Sequence, residues 1–154
     1  MGVYTGEYRH KVDSKKRVSL PSAIRKVIEQ NASAEDSPKK QVNLWVTPDP
    51  EDERLLVFDG KDAFTSWVDK LFDNLGGYNP GDKKKLALHT VLFARVKQIE
   101  ADNSGRILLP ANHREKAGID TELVITGNED HFEIWDAQRW DALLAEVDLA
   151  SLIQ

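Results

Sequence analysis

Apolar residues along this chain recur in two rhythms, and the rhythms follow a set order. Steps of two mark strands facing a core on one side, and steps of three and four mark amphipathic helices. Strand-like segments are expected at Glu7 to Val12 and Val18 to Leu20, the second ending at Pro21, which cannot continue a ladder. A short helix follows over Ser22 to Gln30, then a hairpin joining Val42–Val46 to Leu55–Phe58. Phe64, Trp67, Val68, Leu71, Phe72 and Leu75 fall at helical spacing until Gly76 and Gly77 stop the run, and a further helix is expected over Asp82 to Phe93. The order then restarts. Strands at Arg95–Ala101 and Ile107–Leu109, a stop at Pro110, a helical turn over Ala111–Ala117 closed by Gly118, and a hairpin of Glu122–Thr126 with His131–Trp135 repeat the first series. Asp136 is the expected N-cap of a last helix with Trp140, Leu143, Leu144 and Val147 on one stripe. The aromatics Phe64, Trp67, Phe72, Trp135 and Trp140 sit at packing or subunit-interface spacing rather than forming base-stacking platforms.

The recurrence extends to individual residues. Val12 to Lys26 (VDSKKRVSLPSAIRK) aligns with Ala101 to Glu115 (ADNSGRILLPANHRE), placing Asp13, Arg17, Pro21 and Arg25 on Asp102, Arg106, Pro110 and Arg114 at a single offset of 89. Later, LLVFD ending at Asp59 matches FEIWD ending at Asp136 at an offset of 77, so the first copy carries 12 extra residues. The polar stretch Asn31 to Gln41 is the place for them and reads as a flexible loop. Residues 7–62 and 94–138 are thus the expected repeats, with linking helices over 63–93 and a C-terminal helix over 139–154. A strand set of roughly forty residues seldom makes its own core. The two sets are therefore expected to pair with one another and close one small barrel.

Composition narrows the function classes. The 154 residues suit one compact unit, and 31% charged residues with a mean hydropathy of −0.50 exclude a membrane protein. The apolar runs Leu55–Phe58 and Val91–Ala94 fall far short of the roughly 18 residues a spanning helix needs. The opening residues MGVYTGEYRHK lack an apolar leader core, and Gly6 stands where a myristoylation signal needs Ser or Thr, so an intracellular location is expected. Without cysteine there is neither a disulfide framework nor a thiolate site. His10, His89, His113 and His131 are scattered, no nucleophile elbow or phosphate loop occurs, and the acidic run Asp49–Glu53 lacks the Gly and final Glu of a calcium loop. No enzyme activity, cofactor, metal or small-molecule substrate is expected.

Charge distribution revises the impression left by a net −5. Seven bases face two acids from Met1 to Lys26, whereas nine acids face Arg139 alone from Asp120 to Gln154. A polyanion responds to the local field, so the overall sign does not exclude DNA. The bases gather at the repeated D-x-x-x-R turn. Its Asp can accept backbone N–H groups, Gly105 suits a positive φ, and the closing Arg17 and Arg106 carry forks that match guanine O6 and N7. Lys15 and Lys16 would meet phosphate as point charges. The bland reading is an Asp–Arg ion pair that merely locks each turn, and the two roles are compatible. Arg25 and Arg114, which follow the prolines, either reach DNA or pair with acids across the barrel. Lys83, Lys84 and Lys85 oppose the macrodipole at a helix start and read as a solvated end.

The segments YTGEYRHKVDSKKRVSLPSAIR and VKQIEADNSGRILLPANHR, with FEIWDAQRW after them, resemble the MraZ family, over nearly the whole chain. The resemblance implies an α+β fold: a double AbrB-like, swapped-hairpin β-barrel formed by two internal repeats, with flanking helices. It also implies a sequence-specific DNA-binding transcriptional regulator, cytoplasmic and nucleoid-associated, that forms a ring-shaped homo-oligomer. Its implied partner is double-stranded promoter DNA, recognised as tandem repeats ahead of its own division and cell-wall operon. The expected DNA-binding residues are Arg17, Lys15, Arg106, Lys16, Arg25 and Arg114, with Asp13, Asp102 and Gly105 orienting the turns. One departure is visible: Lys16 stands where the family has Gly, at a modest cost of about 1 kcal/mol if the turn is left-handed. A reading of another class is a protein-interaction barrel that captures a partner protein, as antidote members of the AbrB superfamily do.

Overall fold

Among the described residues, eight strands and six helices follow one another in an order that runs through the same series twice. In the computed structural model, which describes residues 2–32 and 42–154, the first series is β1 (Glu7–Lys11), β2 (Arg17–Ser19), α1 (Ser22–Asn31), β3 (Asn43–Pro48), β4 (Leu55–Phe58) and α2 (Lys61–Asp73). After α3 (Lys83–Arg95) comes the second: β5 (Lys97–Glu100), β6 (Arg106–Leu108), α4 (Ala111–Lys116), β7 (Glu122–Gly127), β8 (Phe132–Asp136) and α5 (Ala137–Glu146). A short α6 (Leu149–Leu152) ends the chain. The expected loop at Asn31 to Gln41 lies largely outside the described residues, and Asn31 itself closes α1.

All strand pairings are antiparallel, and most of them join one series to the other. The larger sheet has the order β1-β7-β8-β4-β3-β5, and β2 pairs with β6 in a separate ribbon. Neither opening strand pairs within its own series: β1 lies on β7 and β5 lies on β3. The two hairpins, β3–β4 and β7–β8, meet where β4 pairs with β8. The pairing of the two strand sets is as expected, but the hydrogen-bonded sheet is open, with β1 and β5 at its edges. The ribbon closes over one face by side-chain packing instead of by a continuous ladder.

That packing forms the main core. Alternate residues of the sheet, among them Leu44, Val46, Leu55, Val57, Leu123, Ile125, Phe132 and Ile134, point to one face. They meet Val18 and Ile107 from the ribbon and Ile24, Ile28, Ala117 and Ile119 from the stretches around α1 and α4. The opposite face carries two smaller clusters. Leu56 and Phe58 lie under Phe64, Val68, Phe72 and Leu92 of α2 and α3, while Val124 and Trp135 lie under Ala137, Trp140 and Leu143 of α5. Local signals start the helices: Asp82 accepts from the backbone N–H groups of Lys84 and Lys85, and Asp136 accepts from that of Arg139. The Asp82 cap answers the unfavourable lysine run by placing a carboxylate at the positive end of α3. Among the described residues no helix is long and apolar enough to cross a membrane.

The ribbon owes its place to its inward side. Val18 and Ile107 are directly opposed across the β2–β6 ladder and both are 0% exposed. Truncating one of them leaves a cavity that the ribbon cannot fill without moving, so Ile107→Ala should cost about 2–5 kcal/mol. The measurement is the urea midpoint of unfolding, which should fall at unchanged slope.

Candidate functional site

The two D-x-x-x-R turns are near copies of one another in atomic detail. In the first, Asp13 Oδ1 accepts from the backbone N–H of Lys15 at 2.9 Å and of Arg17 at 2.7 Å, and Oδ2 accepts from Arg17 Nε at 3.0 Å. In the second, Asp102 Oδ1 accepts from the backbone N–H of Ser104 and of Arg106, both at 2.9 Å, and Oδ2 accepts from Arg106 Nε at 2.9 Å. The backbone closes each loop as well. Asp13 N donates to Arg17 O at 3.0 Å and Asp102 N donates to Arg106 O at 2.9 Å. One carboxylate thus satisfies the loop's otherwise orphaned donors and grips the arginine that ends it.

The fourth position of each turn needs a left-handed backbone. Lys16 has φ 66° and Gly105 has φ 75°. The turn therefore persists with lysine in place of glycine, at the cost a side chain pays in that region. Gly105 also lies under a side chain from the first series. A Cβ there would come within 2.6 Å of Arg25 Nε, because the arginine of the first series lies across the turn of the second.

The ribbon brings the turns together. Arg17 opposes Leu108 and Ser19 opposes Arg106, so both arginines stand on the outward side of β2–β6, away from Val18 and Ile107. Arg17 Nη1 lies 4.0 Å from Asp102 Oδ2, within reach of the other turn, and Leu20 N donates to Gly105 O at 2.9 Å. Lys15 and Lys16 are exposed, and Arg17 and Arg106 are half-buried. Arg25 is drawn to the turns by its packing on Gly105, while its counterpart Arg114 is half-buried on α4. Arg9, counted among the amino-terminal bases, is engaged elsewhere. It pairs with Glu122 at 3.2 Å and Asp141 at 2.7 Å, tying β1 to β7 and α5.

Two features were not legible in the motif. The first is Leu108, 57% exposed amid the arginines although the sequence sets it between the apolar Ile107 and Leu109. The second is a buried charge cluster on the other face of the sheet. His131 Nδ1 lies 2.8 Å from Asp130 Oδ1 and its Nε2 lies 2.8 Å from Glu133 Oε2, while Arg54 Nε lies 2.8 Å from Glu133 Oε1. Burial opposes the imidazolium, but the bonds to Glu133 and Asp130 outweigh it and raise the His131 pKa. The cluster fastens β8 to the β3–β4 turn, where Arg54 also meets Asp49 at 2.9 Å, and plays no part in the ribbon. No signal in the sequence brings Asp49, Arg54 and His131 together. Among the described residues no group of three or more His, Asp or Glu is placed to hold a metal ion.

Comparison with known proteins supplies the family. The family model described as "MraZ protein, putative antitoxin-like" matches residues 92–154. The "Transcriptional regulator MraZ" of Acidithiobacillus ferrooxidans (strain ATCC 53993 / BNL-5-31) is 32% identical over 145 residues, covering 91% of this chain and 87% of the relative. The chain belongs to the MraZ family. The protein of the same name from Coxiella burnetii (strain Dugway 5J108-111) is 30% identical over 132 residues, covering 84% of this chain and 77% of that one. That from Leuconostoc mesenteroides is 28% identical over 144 residues, covering 94% and 88%.

For this MraZ-family chain, two outcomes follow from the turn geometry. Lys16→Gly relieves a left-handed lysine but loses part of that gain to glycine's larger loss of chain entropy, so it should add up to about 0.5 kcal/mol. The check is a rise in melting temperature of up to about 2 °C. Acid should have the opposite effect. The backbone N–H of Arg17 chiefly, with its guanidinium and the N–H of Lys15, holds the Asp13 carboxyl below its ordinary 3.8. Asp102 is lowered in the same way, first by the backbone N–H of Arg106. A lowered folded-state pKa contributes stability that is present above the ordinary value and lost as pH falls through the folded one. The double variant Asp13→Asn, Asp102→Asn should therefore lose less stability than the parent on acidification below about pH 4, read by urea midpoints at each pH.

Proposed function

We propose that this chain is a DNA-binding transcriptional regulator that reads short repeated sequences in the promoter of its own division and cell-wall operon. The observation that carries the reading is the pair of carboxylate-locked turns that set Arg17 and Arg106 on one outward side of a two-stranded ribbon. A two-stranded ribbon fits the major groove. The Asp bond engages each guanidinium through Nε, leaving the terminal amino groups as the pair that matches guanine O6 and N7. Lys15 and Lys16 flank the first arginine as phosphate contacts, and Arg25 braces the second turn. Relatives named "Transcriptional regulator MraZ" support the reading.

The exchanged strand order is the basis for assigning the architecture to the AbrB-like, swapped-hairpin barrel class. We assign self-association into a ring to the apolar surfaces that one chain leaves uncovered: Leu86, Val91 and Phe93 on α3, and Leu149, Leu152 and Ile153 at the carboxyl end. A ring presents many ribbons, and neighbouring contacts raise avidity through effective concentration. Such a protein works in the cytoplasm, on the nucleoid. The same uncovered surfaces, with a family description that reads "antitoxin-like", favour a second reading in which the chain captures a partner protein.

One titration separates them. The DNA upstream of the protein's own gene should be shifted in a gel at low salt and less so at higher salt, because neutralised phosphates release counterions. Arg17→Ala should abolish the specific shift while light scattering reports an unchanged assembly. Trp140→Ala should weaken folding or assembly with no selective DNA defect. An Arg17→Ala protein that binds as tightly as the parent removes the turns as the reading element, and no shift by the parent turns the case toward partner capture.

A further inference from the structure

The outward side of the β2–β6 ribbon is not symmetric. Side chains directly opposed across an antiparallel pair share a face, as do residues two apart on one strand. Arg17, Ser19, Arg106 and Leu108 therefore form one surface, with Arg17 opposite Leu108 and Ser19 opposite Arg106. The repeat relates position 19 to position 108, so the same place holds a hydroxyl in one half and a leucine in the other. Leu108 is 57% exposed, whereas its neighbours Ile107 and Leu109 are 0% and 2% exposed. An apolar side chain thus stands in water on the very face that carries both locked arginines.

Resting on the DNA reading above, we propose that Leu108 is a specificity-determining residue that packs against the C5-methyl group of a thymine in the major groove, beside the base pair met by Arg17. The methyl is the apolar feature of that groove, and aliphatic side chains distinguish thymine through it. The geometry sets the distance between the two readings. Opposed Cβ atoms lie roughly 5 Å apart, against about 3.4 Å per base step along one strand. Leu108 and Arg17 then address base pairs one or two steps apart. Because Ser19 takes the equivalent place beside Arg106, the two ends of the ribbon read different chemistry. A scaffold with internal two-fold likeness thereby recognises a directional sequence rather than a palindrome.

The test uses the full-length protein and duplexes that it selects from a random pool. Each thymine of a selected duplex is replaced in turn by deoxyuridine, which removes only the methyl. At one thymine, within two steps of a guanine, the parent should lose about fourfold in affinity, the worth of one buried methyl-sized group. Leu108→Ala should bind the thymine duplex as weakly as the parent binds its deoxyuridine form, and should be indifferent to the replacement. Leu108→Met should retain the discrimination. Because the side chain is exposed, melting temperatures of the variants should match the parent's. If every thymine can be replaced without loss, or if Leu108→Ala discriminates as the parent does, the assignment of Leu108 is overturned while the arginine reading stands. Selection of no duplex at all overturns both.

Discussion

A single carboxylate doing two jobs is the constraint on which the site depends. Asp13 and Asp102 each bond two backbone N–H groups with one oxygen and an arginine Nε with the other. The loop cannot relax without freeing the guanidinium, and the guanidinium cannot swing away without releasing one of the bonds that close the loop. An ion pair this exposed adds little stability by itself. Its value lies in orientation, since a side chain already held in place surrenders less entropy when it meets a ligand.

Orientation on a loop is useful only if the loop itself is held, and here the interleaving of the two series matters. Among the described residues β2 pairs only with β6, and each contributes three residues, so the ribbon has little ladder of its own. Its stability comes from Val18 and Ile107 sinking into a core that both series build. Because β1 lies on β7 and β5 lies on β3, separating the halves would strip both edges of the sheet at once. The fold therefore treats two homologous segments as one cooperative body. That is the condition for holding two turns at a constant spacing.

The repeat tolerates divergence where the physics permits it. Lys16 replaces a glycine-like residue because its side chain points into solvent, and the backbone cost is modest. At Gly105 a side chain would also have to displace the flexible end of Arg25, which lies where its Cβ would stand. The acidic carboxyl-terminal stretch is not simply a counterweight to the basic amino terminus either. Asp141 and Glu122 hold Arg9, so part of the apparent amino-terminal charge is spent on fastening an edge strand, and Glu133 and Asp130 are consumed by His131.

Local chemistry was legible from the residues alone. The D-x-x-x-R turns, the stops at Pro21 and Pro110, the Asp136 cap and the helical stripe from Phe64 to Phe72 all act within four or five residues, where covalent geometry fixes who meets whom. What only the tertiary structure decided depends on contacts between distant positions. The sheet stays open and the ribbon closes over it by packing. Arg25 crosses to the other turn, and Asp49, Arg54, Glu133 and His131 converge beneath the sheet. Leu108 shows the difference most directly. In the sequence it is one apolar residue between two others. Its exposure follows from the two-residue strand period together with the register on β2, which turns Ile107 inward and sets Leu108 beside Arg17.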